Sequence, residues 1–130
     1  MKEYWFGAHT KHRLMYHLVW LPKYRKRILQ GKIVPYLEGL FSECCIVNSW
    51  EITELNIQKD HVHMIIRIRP SVSVSNAVQR LKGGSSRMLR KKFPGLKEFL
   101  WGNSFWSDGY FAETVGSCDE SVIRKYVANQ

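Results

Sequence analysis

The stretch that most constrains the fold is residues 58–69, Gln-Lys-Asp-His-Val-His-Met-Ile-Ile-Arg-Ile-Arg. Its β-branched content, after the turn signal Lys59-Asp60, predicts a strand and not a helix. Side chains on a strand alternate, so Val62, Met64, Ile66 and Ile68 point one way, and His61, His63, Ile65, Arg67 and Arg69 the other. One face is apolar and must be buried; the other presents two imidazoles at i and i+2. Their Cα atoms then lie roughly 7 Å apart, which lets both rings reach one divalent metal. A cation held there would polarise an oxygen of a substrate.

A strand of this kind needs partners, and 130 residues with 45% hydrophobic content supply one core and not two, so residues 1–130 are expected to form a single domain. The 20 Lys and Arg against 11 Asp and Glu leave a formal charge of +9, which favours a polyanion such as nucleic acid as partner. Cys44 and Cys45 are adjacent and Cys118 stands alone, which gives neither a disulfide framework nor paired thiolates for structural zinc. A reducing, cytoplasmic setting is expected. The first residues lack the apolar region of a signal peptide, and no apolar run is long enough to span a membrane.

In chain order, residues 13–21 form a nearly continuous apolar run, read as a buried strand stopped by Pro22. His17 lies inside it and is expected to be hydrogen-bonded within the sheet. Lys23, Tyr24, Arg25, Lys26 and Arg27 follow; they could hold phosphate while the ring stacks on a base, or form a solvated loop. Apolar residues at 33, 34, 37, 40, 41, 44 and 45 predict an amphipathic helix with Pro35 in its first turn. Residues 50–57 read as a strand whose apolar phase shifts between Ile52 and Leu55, a sign of a bulge, paired with the histidine strand through a short hairpin.

Val74, Val78, Leu81 and Met88 give helical spacing over residues 73–92, with Arg80, Lys82, Arg87, Arg90, Lys91 and Lys92 on the polar side. Gly83 and Gly84 inside it cost roughly 1 kcal/mol each against alanine, so they mark either close approach of a nucleic-acid backbone or a helix break. The aromatic residues 100–115, with Asp108-Gly109 as a turn signal, predict a final strand or hairpin. Ser117-Cys118-Asp119-Glu120 has capping-box form and opens a helix in which Val122, Ile123, Tyr126, Val127 and Gln130 share a stripe.

This order predicts an α+β, ferredoxin-like fold: a four-stranded antiparallel sheet, the histidine strand central, two helices on one face and the other face open. The C-terminal helix could then lie across His61 and His63. On it Tyr126 and Gln130 are i and i+4, about 6 Å apart. A phenol, with an unperturbed pKa of about 10, attacks phosphate poorly unless a cation offsets the charge that develops. Gln130 could complete the coordination begun by the histidines. A core aromatic and a solvated helix end are the alternatives for these two residues.

His61-Val62-His63 after a hairpin, Leu81-Lys82-Gly83 with Ser85-Ser86-Arg87, Tyr110-Phe111 with Thr114-Val115-Gly116, and Tyr126 four before Gln130 form an ordered set. With Leu18-Val19-Trp20 leading into Lys23-Tyr24-Arg25, it resembles the single-tyrosine transposases of small bacterial and archaeal insertion sequences, of the IS200-like type, among the HUH (His-hydrophobic-His) nucleases. The resemblance covers nearly the whole chain. It implies an enzyme that cuts and rejoins single-stranded DNA at hairpin-bearing element ends through a 5′-phosphotyrosine bond. Carried over by position, Tyr126 is the nucleophile, while His61, His63 and Gln130 hold Mg²⁺ or Mn²⁺. It also implies a homodimer in which the tyrosine helix can act in trans. Relatives commonly continue a few residues past the position of Gln130.

Three other readings are separable. A non-catalytic single-strand binder would need neither Tyr126 nor metal. Histidine-triad hydrolases require a third alternating histidine where this chain has Ile65. A domesticated relative acting on chromosomal palindromic repeats would keep the same chemistry.

Overall fold

The computed structural model describes residues 5–7, 10–12, 14–98 and 104–115. Two short strands, β1 (Trp5–Gly7) and β2 (Thr10–His12), pair antiparallel as a separate ribbon. The main sheet contains β3 (Leu14–Trp20), β4 (Glu51–Gln58), β5 (His61–Ile68) and β6 (Phe111–Val115), all antiparallel, in the order β4-β5-β3-β6. Helices α1 (Ile33–Asn48) and α2 (Val74–Lys92) cover one face. This is the ferredoxin-like α+β arrangement, and β5 is central, as its two-sided burial requires.

On the helix face Val62, Met64, Ile66 and Ile68 join Leu18 and Trp20 from β3 with Leu37 and Phe41 from α1 and Ala77, Val78, Leu81 and Leu89 from α2. Leu37, Phe41 and Cys45 follow four-residue spacing, which is why one stripe of α1 is buried. Ser73 caps α2 by accepting the Asn76 N–H at 3.0 Å, and Arg90, Lys91 and Lys92 end the helix where its dipole favours cations. The expected bulge is present: the β4–β5 register shifts between Ile52 and Glu54, and the Thr53 hydroxyl donates to the Ile65 carbonyl at 3.3 Å.

The structure corrects three expectations. α2 runs unbroken through Gly83 and Gly84, so the glycine pair is not a helix break. Among the described residues of the expected terminal strand or hairpin, only Phe111–Val115 is a strand. Ahead of it, the chain instead packs Phe105 and Trp106 into the helix-side core. Ser86 Oγ accepts the Phe105 N–H and Ser85 Oγ accepts the Trp106 indole N–H, both at 2.9 Å, which ties this segment to α2. Third, the histidine face is not simply open: Met15, Ile65 and Val115 form a second buried cluster on it, and His17 and Arg67 are buried there too. Burial on both faces hides the alternation that the sequence of β5 displays.

Candidate active site

His61 and His63 stand at the start of β5, where the two-residue turn Lys59-Asp60 closes the hairpin from β4. Strand alternation puts both rings on the face away from the helices, with centroids 4.7 Å apart and planes crossed at 78°. Across the sheet His63 is flanked by Asn56 on β4 and Val19 on β3, and His61 faces Gln58. Gln58 Nε2 donates to Asn56 Oδ1 at 2.6 Å, so the polar neighbours form a row of their own.

Each histidine has its Nδ1 engaged by a neighbour. Asp60 Oδ1 lies 2.7 Å from His61 Nδ1, while Asp60 Oδ2 accepts from Arg25 Nε at 3.1 Å and lies 4.0 Å from Arg27. The bond to His61, and then the Arg25 bond, hold the Asp60 carboxyl below its ordinary range, so it is a full acceptor for His61 Nδ1–H. His63 Nδ1 lies 3.4 Å from His17 Nε2, and the two rings meet edge to edge, nearly parallel, with centroids 5.6 Å apart. Phe111 closes the far side of His17 edge-on at 6.0 Å. Burial, reinforced by the charges of His61 and His17, pushes His63 down to about 4. Burial also lowers His17, partly countered by Glu113. Both rings are therefore neutral at pH 7.

His61 and His63, each with Nε2 as the nitrogen left to a ligand, suit a divalent cation. Among the described residues no group of three His, Cys, Asp or Glu side chains converges on such a site, so the pair supplies two donors and further ones must come from elsewhere. Tyr126 and Gln130 lie outside the described residues.

Of the candidate nucleic-acid contacts, Lys23, Tyr24 and Arg25 follow β3 and are brought to the site: Arg25 is linked to His61 through Asp60, and Tyr24 is exposed beside Lys23, whose Nζ lies 5.5 Å from the ring centroid. The backbone is strained here, with φ of 60° at Tyr24 and 52° at Arg25. Arg80, Lys82 and Arg87 belong to α2, on the opposite side of the sheet. Arg80 bonds Asn76 and Asn48. Lys82 Nζ donates to the carbonyls of Ser107 and Gly109, both at 2.8 Å, and clamps the segment before β6. Lys82, Gly83, Arg87, Arg90 and Tyr110 line a cleft of about 500 Å³. The sequence marks Asp60 as a turn residue and His17 as a residue hydrogen-bonded within the sheet in preference to a ligand. An acidic residue directly before His-x-His was a usable signal; the His17–His63 contact, 46 residues apart, was not.

With the geometry in place, comparison with known proteins is informative. The family model described as "Transposase IS200 like" matches residues 10–130. The ISDra2 transposase TnpA of Deinococcus radiodurans is 33% identical over 124 residues, covering 95% of this chain and 89% of that protein. The transposase for insertion sequence element IS200 of Salmonella typhimurium is 35% identical over 123 residues, covering 95% and 80%. A crystal structure of a candidate transposase from Deinococcus radiodurans superposes with a TM-score of 0.79 at 31% identity, over 100% of this chain and 98% of that one. The REP-associated tyrosine transposase bound to a REP hairpin shares the fold, with a TM-score of 0.64 at 18% identity over 98% of this chain and 70% of that one.

Fold and matches together make this chain a transposase by class. More narrowly, it belongs to the IS200-like transposase family. Among the described residues no helix is long and apolar enough to cross a membrane.

Proposed function

We propose that the chain cleaves and rejoins single-stranded DNA at insertion-sequence ends, with Tyr126 as nucleophile and His61, His63 and Gln130 as ligands of Mg²⁺ or Mn²⁺. The observation that carries this reading is the histidine pair, rings 4.7 Å apart on one face of the central strand, each with Nδ1 already engaged. When bound, the cation would draw charge from the scissile phosphate. His61 and His63 would hold it, each through Nε2, with Asp60 orienting His61. Tyr126 Oη forms a bond to phosphorus as the bond to the 3′ oxygen breaks; the phenol gives up its proton and the 3′ oxygen takes one, leaving a 5′-phosphotyrosine and a free 3′-hydroxyl. The reverse attack by a 3′-hydroxyl rejoins strands without ATP, because the phosphotyrosine conserves the bond energy.

Hairpin DNA is the proposed substrate form, supported by the fold shared with a protein bound to a REP hairpin. Lys23, Tyr24 and Arg25 would meet DNA at the site, and Arg80, Lys82 and Arg87 would meet it on α2, over the opposite face of the sheet, the net charge of +9 providing the attraction. A homodimer with the tyrosine helix exchanged between subunits is part of the proposal.

The test is incubation with single-stranded DNA carrying hairpin-bearing element ends and Mg²⁺, followed by denaturing electrophoresis. A covalent adduct is expected, lost with Tyr126→Phe, with His61→Ala and in chelator. An adduct surviving in Tyr126→Phe removes that residue from the nucleophile's role; chelator-resistant binding without any adduct supports the non-catalytic single-strand binder. Adducts formed on chromosomal palindromic repeats but not on element ends would point to a domesticated relative.

A further inference from the structure

A buried histidine that the proposed reaction does not use touches a residue that it does use. His17 sits on β3, opposite Ile65 and Glu113 and diagonal to His63, whose direct partner on that strand is Val19. Its Nε2 lies 3.4 Å from His63 Nδ1, the two ring planes are within 18° of each other with centroids 5.6 Å apart, so the rings meet edge to edge, and it is 5% exposed. One proton can sit in this contact in two ways. If His17 Nε2 carries the proton, His63 accepts at Nδ1 and is protonated at Nε2, which blocks that nitrogen as a ligand. If His63 carries the proton at Nδ1, His17 Nε2 accepts it and His63 Nε2 keeps its lone pair. The second arrangement parallels His61, whose Nδ1 is engaged by the carboxylate of Asp60, a group that can only accept.

We propose that His17 is a positioning residue, holding His63 in the Nδ1-protonated tautomer and fixed ring plane that leave Nε2 to a divalent cation. This deepens the reading of His61 and His63 as ligands and rests on it. His17 does for one histidine what Asp60 does for the other, from a strand 46 residues away in sequence. A neutral acceptor in place of a carboxylate also keeps a second negative charge out of a buried position.

Two measurements test it. Long-range ¹H–¹⁵N spectra of the metal-free wild-type protein are expected to show His63 protonated at Nδ1 and His17 at Nδ1; a proton on His17 Nε2 overturns the proposal. Mn²⁺ binding, followed by electron paramagnetic resonance, is expected to weaken about 10- to 100-fold in His17→Phe. His17→Gln, whose amide oxygen can occupy the place of Nε2, is expected to recover most of that loss. Wild-type affinity in a folded His17→Phe protein overturns the proposal, as does a Gln variant no better than Phe. Failure of the wild type to bind Mn²⁺ overturns the ligand reading itself, and the tautomer spectra, which need no metal, tell the two failures apart.

Discussion

At the residue scale the chemistry rests on keeping imidazoles uncharged inside a sheet. His63 ionises at about 4 in the folded protein against 6.5 for a free histidine, chiefly because burial penalises its cation. The unfolded chain therefore binds more protons than the folded one between these values, so stability is fully present above pH 6.5 and is lost as pH falls towards 4. His17 shifts the same way. Denaturant melts of the protein without added metal are expected to show a loss on the order of 3 kcal/mol across this window. A flat profile from pH 7 to 4 would mean that His63 is solvated and that the described burial is wrong. The same burial explains why a lone His-x-His in a sequence says little: Asp60 and His17, and not the motif, decide which nitrogen each ring offers.

At the element scale, α2 carries a tension between sequence and packing. Gly83 and Gly84 lie in mid-helix, yet a Cβ built at either meets no atom within 4 Å. Among the described residues no neighbour demands glycine there, and the helix does not break. That excludes the helix break, and the close approach of a nucleic-acid backbone is a proposal that alanine variants test. Gly83→Ala and Gly84→Ala are each expected to raise stability by about 1 kcal/mol in thermal melts, while weakening the binding of hairpin DNA. Unchanged affinity in both variants would remove the close approach. The adjoining Ser85 and Ser86 act differently. By bonding Trp106 and the Phe105 amide they set where the chain leaves the helix layer to enter β6.

At the scale of the whole molecule, the sheet separates two groups of polar side chains. The histidine pair lies on one face, with the strained Lys23–Arg25 turn at the same end, and the basic side of α2 lies over the other. For the proposed exchange of tyrosine helices between subunits, an equimolar mixture of His61→Ala and Tyr126→Phe proteins, allowed to reassort, is expected to regain roughly a quarter of the wild-type adduct, since half the dimers are mixed and each has one intact site. No recovery, with mixed dimers demonstrated, would place each tyrosine beside its own histidines. Much of this architecture was legible in one dimension. Alternation over residues 61–68 gave β5 its two faces, four-residue spacing gave α1 its buried stripe, and the phase slip at Ile52 to Leu55 gave the bulge, because each is a local periodicity imposed by backbone geometry. Residues 104–110 read as part of a strand or hairpin because aromatic content suits a strand and a core plug equally, and contacts from Lys82, Ser85 and Ser86 of α2 decide for the plug. The sequence by itself determined β3, β4, β5 and the two helices α1 and α2, with β5 central and the pair of imidazoles facing one way. Only the tertiary structure decided that His17 reaches His63 across the sheet, that Asp60 joins Arg25 to His61, and that both sheet faces are buried, because such contacts depend on strand order and register between residues far apart in the chain.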